Sequence, residues 1–251
     1  MKTIVITQAR TGSTRLPNKV LLKIDQKSLL QIHIDRIKKA KSIDEIYIAT
    51  TENENDIPIV ILAKQLGVKL YRGSEEDVLD RFYKTAKLAL PDYIVRLTSD
   101  CPLIDGTLID EVVKKAQANN FDYYANVMEE RYPDGQDIEV FKFSALEKAW
   151  REASLKSERE HVTSYIRNNS SYKGGVLFTS GNHGLDENYN QVRLTVDEPE
   201  DVEVIKRIIG ALGLEKDWKT YADYYIMNKK IHKLNSDIIR NEGYSSSLKK
   251  D

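Results

Sequence analysis

The chain has 251 residues, and its 38 Lys and Arg against 39 Asp and Glu leave a formal net charge of -1. So even a balance excludes the global basic field of a nucleic-acid binder, and any cation cluster must be local. No apolar run approaches the roughly 20 residues of a membrane span, the run after Met1-Lys2 is too short for a signal peptide, and one cysteine excludes an internal disulfide or a cysteine-based zinc site. A cytoplasmic protein is expected, with residues 1–251 forming one domain.

The first strand is expected over 3–7 (TIVIT). It is followed by "QARTGSTRLPNKVLL" (8–22), which carries Arg10, Arg15 and Lys19 but only one glycine, Gly12. That loop is neither a P-loop nor a dinucleotide fingerprint, both of which need more glycine. An anion would have to be held by Arg10, Arg15 and Lys19 with the hydroxyls of Ser13 and Thr14. The alternative is a solvated loop with ordinary surface cations. Helical spacing follows over 28–40, a strand over 45–51 (EIYIATT), a helix over 56–67, a strand over 67–71, a helix over 75–90 and a strand over 92–98 (DYIVRLT). Strand and helix alternating in this way predict a mostly parallel sheet covered on both faces, with ligands outside the carboxyl ends of the strands.

That rule makes 8–19, 50–55, 72–77 and 99–105 the candidate site segments. Asp100 in "LTSDCPLID" and Asp197 in "LTVDEPED" each follow an expected strand, the second one over 191–196 (QVRLTV). Two hard carboxylates at one sheet edge suit the magnesium ion that a polyphosphate brings. Taken singly, Asp100 reads as a turn residue before Pro102, and Asp197 as the cap of a helix opened by Pro199 and running to about 212. Asp105, Glu200 and Asp201 read as caps or surface acids. Further strands are expected over 138–143 and 174–179, and one helix over 157–169, where Ser157 caps and Glu160 completes a capping box. Asp134, Asp137 and Glu139 surround a glycine turn, an arrangement that can bind sugar hydroxyls or simply form a polar hairpin. His161, a lone histidine beside Glu158 and Arg159, reads as a satisfied surface residue, and Cys101, with no neighbouring base in sequence, is a poor nucleophile. After 213 the chain turns rich in Tyr and Lys, so 214–251 is expected to form a helical tail packed on the domain or on a second subunit.

Seven stretches in order, "QARTGSTRLPNKVLL", "RGSEEDVLDRFY", "RLTSDCPLID", "YPDGQDIEVF", "EREHVTSYI", "RLTVDEPED" and "RNEGYSSSLKKD", resemble the cytidylyltransferase family of spore coat polysaccharide biosynthesis protein F. That family is related to the 3-deoxy-manno-octulosonate and acylneuraminate cytidylyltransferases. The resemblance implies a three-layer α/β/α sandwich of the nucleotide-diphospho-sugar transferase type and transfer of CMP from CTP to an acidic sugar, with pyrophosphate released. It further implies that Ala9, Arg10, Gly12, Ser13, Arg15 and Lys19 hold the triphosphate, and that Asp100 and Asp197 hold Mg²⁺. Thr50, Arg72, Ser74, Asp80 and Arg81 fall where relatives contact base and ribose, while Asp134, Gln136, Asp137, Glu139 and His161 would face the acceptor. A homodimer is expected on the same ground. Two other activities compete: transfer to a phosphorylated small molecule, and nucleotide binding without turnover. A glycosyltransferase would need a DxD metal pair, which neither "SDC" nor "VDE" supplies.

Overall fold

The computed structural model describes residues 1–240; the end of the last resembling stretch and of the expected tail, 241–251, lies outside them. Seven strands form the main sheet: β1 (Thr3–Gln8), β2 (Glu45–Thr51), β3 (Lys69–Gly73), β4 (Tyr93–Thr98), β5 (Tyr123–Ala125), β6 (Glu139–Lys142) and β7 (Ser180–Asn182). They lie in the order β3-β2-β1-β4-β6-β5-β7, and only β6 runs antiparallel to its neighbours β4 and β5. The order reverses between β1 and β4, and the segments leaving those two strands open the crevice where such sheets bind ligands.

Period-two alternation makes the two covered faces. Val5, Ile48, Val95 and Leu97 point toward α1 (Leu29–Ile37), α2 (Ile57–Leu66) and α4 (Gly106–Ala118). Ile4, Ile6, Tyr47, Ala49 and Ile94 point toward α3 (Val78–Lys87), α5 (Phe143–Glu152) and α7 (Ser164–Asn168), which follows the short α6 (Lys156–Glu160). The result is the expected α/β/α sandwich. Helix ends carry recognisable stops: Ser28 caps α1 by accepting from Gln31 N, Asp105 caps α4, and Gly67 ends α2 with φ at 65°.

A third apolar cluster joins Leu29, Ile32 and Leu103 to Val192, Leu194 and Val196, covered by α8 (Pro199–Leu212), α9 (Trp218–Met227) and α10 (Lys229–Asn235). Tyr221 and Tyr225 of the Tyr-rich segment are fully buried in it.

Three local expectations change. Residues 191–196 alternate like a strand because Val192, Leu194 and Val196 bury one side, yet they never join the sheet and make only one bridge, Arg193 to Asp134. The strand expected over 174–179 begins later, at Ser180, and only Phe178 forms a bridge, to Ser170. The helix expected over 157–169 breaks into α6 and α7 at Val162, whose φ is 27°, while Thr163 turns its hydroxyl onto Glu139. Helix α6 starts at Lys156 with Leu155 as its N-cap, and Glu158, three residues on, accepts from Ser154 N and Leu155 N, so Ser157 lies inside the helix and not at its cap.

Candidate active site

The loop after β1 is tied at Thr11, whose carbonyl accepts from Ser13 N and Asn18 N, both at 2.9 Å. Asn18 adopts a left-handed φ of 58° and starts a short turn, Lys19–Leu21, that aims Lys19 back under the loop. On the facing side, Val196 N donates to Asp100 O at 2.8 Å, which sets Asp197 beside Asp100 although they are far apart in sequence. Lys19 Nζ then donates to Asp100 Oδ2 at 2.8 Å, Asp197 Oδ1 at 2.7 Å and Val196 O at 2.9 Å. Arg15 reaches the same Asp197 oxygen at 3.0 Å and Glu198 at 3.3 Å.

Burial opposes a charge on both Lys19 and Asp100, but their mutual attraction and hydrogen bond outweigh it. The Asp100 carboxyl is held well below the usual carboxylate range, and the Lys19 ammonium, which also feels Asp197, is held above its own. Lys19 and Asp100 therefore sit charged, beside the Asp197 carboxylate group, at the β1–β4 switch point.

His33 fixes this corner from beneath. Fully buried on α1, it faces Cys101 O through Nδ1 at 2.8 Å and Thr7 Oγ1 through Nε2 at 3.0 Å. A carbonyl only accepts, so Nδ1 carries the proton and Nε2 accepts from the Thr7 hydroxyl. Burial pushes the His33 pKa down to about 4, which keeps the ring neutral. Arg193 supports Asp197 from the other side. It donates to Asp197 Oδ2 at 3.2 Å and Asp134 Oδ2 at 2.8 Å, and grips both oxygens of Asp201 at 2.9 Å. Asp201, expected as a cap or surface acid, is fully buried there and still accepts from Asp197 N and Glu198 N at the start of α8.

A cavity of about 730 Å³ runs from Arg15, Asp100 and Asp197 to Asp134, Asp137, Glu139 and His161. Glu139 is charged: burial opposes this, but Arg96 at 2.6 Å and the Tyr123 hydroxyl at 2.8 Å hold it below its ordinary range. Burial, and next the charge of Asp137, raise Asp134; burial likewise raises Asp137, against the pull of Arg240 at 2.6 Å. Burial lowers the His161 pKa.

Other residues singled out from sequence lie apart from this cavity. Gln136, expected to face the acceptor, is fully buried; it accepts from Asp105 N at 3.0 Å and donates to Leu103 O at 2.8 Å, so it braces the loop beyond Asp100. Ala9 is buried and donates to Ala49 O, and Ser13 Oγ accepts from Leu16 N. Arg10 is 47% exposed and pairs with Glu75 at 3.1 Å, the residue a side chain on Gly12 would meet. Thr50 is buried with no hydrogen-bond partner for its hydroxyl among the described residues. Arg72 spends its guanidinium on Thr51, Glu52 and Asn53 carbonyls. Ser74 accepts from Asp77 N and, through its carbonyl, from Arg81. Asp80 accepts from Trp150 Nε1 and pairs with Lys84. His33, Asp56, Arg96 and Arg193 were not singled out from sequence.

For a metal, the available donors are two neighbouring carboxylates facing open space; among the described residues no third acid, His or Cys joins them. Magnesium needs one or two carboxylates and fills its other positions with water and phosphate oxygens, so the donor set fits it.

The strand order reverses between β1 and β4, and a cationic loop stands opposite paired acids at that reversal, an arrangement that suits a nucleotide-binding crevice. Residues 4–231 match the cytidylyltransferase family model, and the chain belongs to that family of CTP-dependent nucleotidyltransferases. It is 42% identical over 240 residues to an uncharacterized protein of Methanocaldococcus jannaschii, covering 95% of this chain and 96% of that one. It is 35% identical over 223 residues to the spore coat polysaccharide biosynthesis protein SpsF of Bacillus subtilis, covering 85% and 89%. A solved cytidylyltransferase from Leptospira borgpetersenii superposes with a TM-score of 0.86 at 34% identity, over 92% of this chain and 96% of that one. A CMP:2-keto-3-deoxy-manno-octonic acid synthetase, solved with CTP, shares the fold at a TM-score of 0.60 and 17% identity, over 84% and 99%.

Proposed function

We propose that the protein transfers CMP from CTP to an acidic sugar, with a nonulosonic acid the leading acceptor, for assembly of a surface polysaccharide. One observation carries this reading: a single cavity joins the Arg15–Asp100–Asp197 corner to a second group of acids and cations around Glu139. Two substrates can therefore meet end to end. The octulosonate synthetase of the same fold, solved with CTP, and the polysaccharide role in the SpsF relative's name point the same way.

In this reading Arg10, Arg15 and Lys19 take the charge of the triphosphate, and Ser13 adds a hydroxyl. Asp100 and Asp197 would hold Mg²⁺, which when bound supplies charge neutralisation on the phosphates and a lowered pKa for a bound hydroxyl. The acceptor oxygen attacks the α-phosphorus in line with the departing pyrophosphate; a P–O bond forms to the acceptor as the bond to the β-phosphate oxygen breaks. Asp197 orients the attacking hydroxyl, and Asp134, Asp137 and Glu139 with His161 position the sugar. No covalent enzyme intermediate is needed, and rate comes from placement and electrostatics. Lys19 ties both carboxylates together without nucleotide, so it exchanges them for phosphate oxygens as CTP enters.

The cations lining the acceptor end, Arg96, Arg167 and Lys173, suit a carboxylate and equally a phosphate, so a phosphorylated acceptor is the second reading. Pyrophosphate release from each nucleoside triphosphate, over a panel of acidic sugars and sugar phosphates, decides between them. The proposal expects release with CTP and an acidic sugar. Release only with phosphorylated acceptors transfers the assignment to the second reading, and CTP binding without release under any pairing removes both.

A further inference from the structure

Asp56 lies at the start of α2, outside the cavity, and is 1% exposed. Its carboxylate accepts four hydrogen bonds, two from the loop after β1 and two from the end of β2. Oδ1 takes Thr11 N and Thr11 Oγ1, both at 2.7 Å, and Oδ2 takes Thr51 Oγ1 at 2.5 Å and Thr51 N at 3.4 Å. A buried carboxylate is costly unless its lone pairs are filled; the charge of Arg81 acts on Asp56 but forms no ion pair with it among the described residues, so the hydrogen bonds carry the compensation. Here the donors come from β2's last residue and from the residue next to Arg10. Thr11 is also the knot of the loop, since its carbonyl closes 11–18 by accepting from Ser13 N and Asn18 N.

We infer that Asp56 is a positioning residue for nucleotide binding: through Thr11 it sets the loop that presents Arg10, Ser13, Arg15 and Lys19 to the triphosphate. The inference rests on the reading that this loop binds CTP. The chain of contacts runs from Asp56 to Thr11 by two hydrogen bonds of 2.7 Å, from Thr11 O to Ser13 N and Asn18 N at 2.9 Å, and from Asn18 along the backbone to its neighbour Lys19. A second, exposed brace runs beside it. Glu75 accepts from Arg10 through Oε1 at 3.1 Å and from Asn53 through Oε2 at 2.5 Å. On this inference Glu75 gives up Arg10 when phosphate arrives, whereas Asp56, buried against the backbone and hydroxyls of Thr11 and Thr51, holds throughout. Pre-organised donors bind an anion without the cost of ordering a loop.

A merely structural carboxylate would be equally sensitive on its two sides, and that symmetry is the test. Thr11→Val and Thr51→Val each remove one hydroxyl from Asp56, and CTP affinity is measured by calorimetry with magnesium alongside the thermal midpoint. Thr11→Val is expected to raise the CTP Kd tenfold or more, Thr51→Val less than threefold at a similar loss of midpoint, and Thr11→Ser, which keeps the hydroxyl, to restore binding. Asp56→Asn should follow Thr11→Val. Equal weakening by the two valine variants, or a Thr11→Val Kd within threefold of the wild type, overturns the inference and leaves CTP binding itself intact. If the wild type does not bind CTP, the assignment of the loop fails and the inference falls with it.

Discussion

His33 gives the sharpest quantitative handle on the Lys19–Asp100–Asp197 corner. Its pKa is pushed down to about 4 by burial, against about 6.5 in an unfolded chain. Between those values the unfolded chain binds more protons than the native one, so stability is complete above pH 6.5, falls as pH drops, and the whole contribution is gone below pH 4. A gap of about 2.5 pKa units corresponds to about 3 kcal/mol in total, of which about 2 kcal/mol is lost between about pH 7.5 and about pH 5. Asn in place of His33 keeps a donor near the Nδ1 position for Cys101 O and cannot titrate. Urea unfolding of wild type and His33→Asn at those two pH values isolates the term, because every other titrating group, including His161 and Asp134, is common to both proteins. The variant should lose about 2 kcal/mol less than wild type on acidification. Equal losses in the two proteins would show that His33 is not held neutral against Cys101 O and Thr7, and would refute the account of how the Asp100 loop is fixed.

Lys19→Met should lower pyrophosphate release by about 10²- to 10³-fold; it should also let Asp100 and Asp197 take up Mn²⁺ without nucleotide, which electron paramagnetic resonance detects and the wild type does not show. Arg10→Ala should raise the CTP KM about tenfold with little change in thermal midpoint, since its partner pairing is exposed. Gly12→Ala should cost less than Arg10→Ala in kcat/KM, because a Cβ there meets only the movable Glu75 carboxylate at 3.3 Å. Gly135→Ala should destabilise the fold by about 3 kcal/mol or more, read by urea titration. Its φ is 109°, and a Cβ would lie 2.7 Å from the Leu194 carbonyl carbon.

The first half of the sheet was legible because β1, β2 and β4 are buried on both faces and read as runs of β-branched residues between amphipathic helices. Helix α8 was legible from Pro199 at its first position to about Leu212, although its N-cap is Glu198 and not Asp197. Residues 191–196 were misread for a physical reason: alternation reports which side is buried, and this segment buries its side chains against α8 and α9 without a neighbouring strand to complete a ladder. Gln136 was placed at the acceptor by the family resemblance alone, whereas both ends of its amide satisfy backbone groups of the Leu103–Asp105 loop. Lys19, Asp100 and Asp197 could be picked out by their places after expected strands, although the one before Asp197 is no strand, and the structure brings these three together. His33, Asp56 and Arg193 could not be. Their meaning comes from partners such as Cys101, Thr11 and Asp134, which lie 68, 45 and 59 positions away, and no local pattern encodes such a pairing.

The central claim is that Asp100 and Asp197 hold the metal of a metal–CTP complex. Mn²⁺ binding in the presence of CTP, followed by electron paramagnetic resonance in wild type, Asp100→Asn and Asp197→Asn, tests it most directly. The account predicts a protein-bound Mn²⁺ signal that requires CTP in the wild type and is lost or strongly weakened in each variant, while folding stays intact. An undiminished signal in either variant would remove that carboxylate from the metal site and contradict the claim.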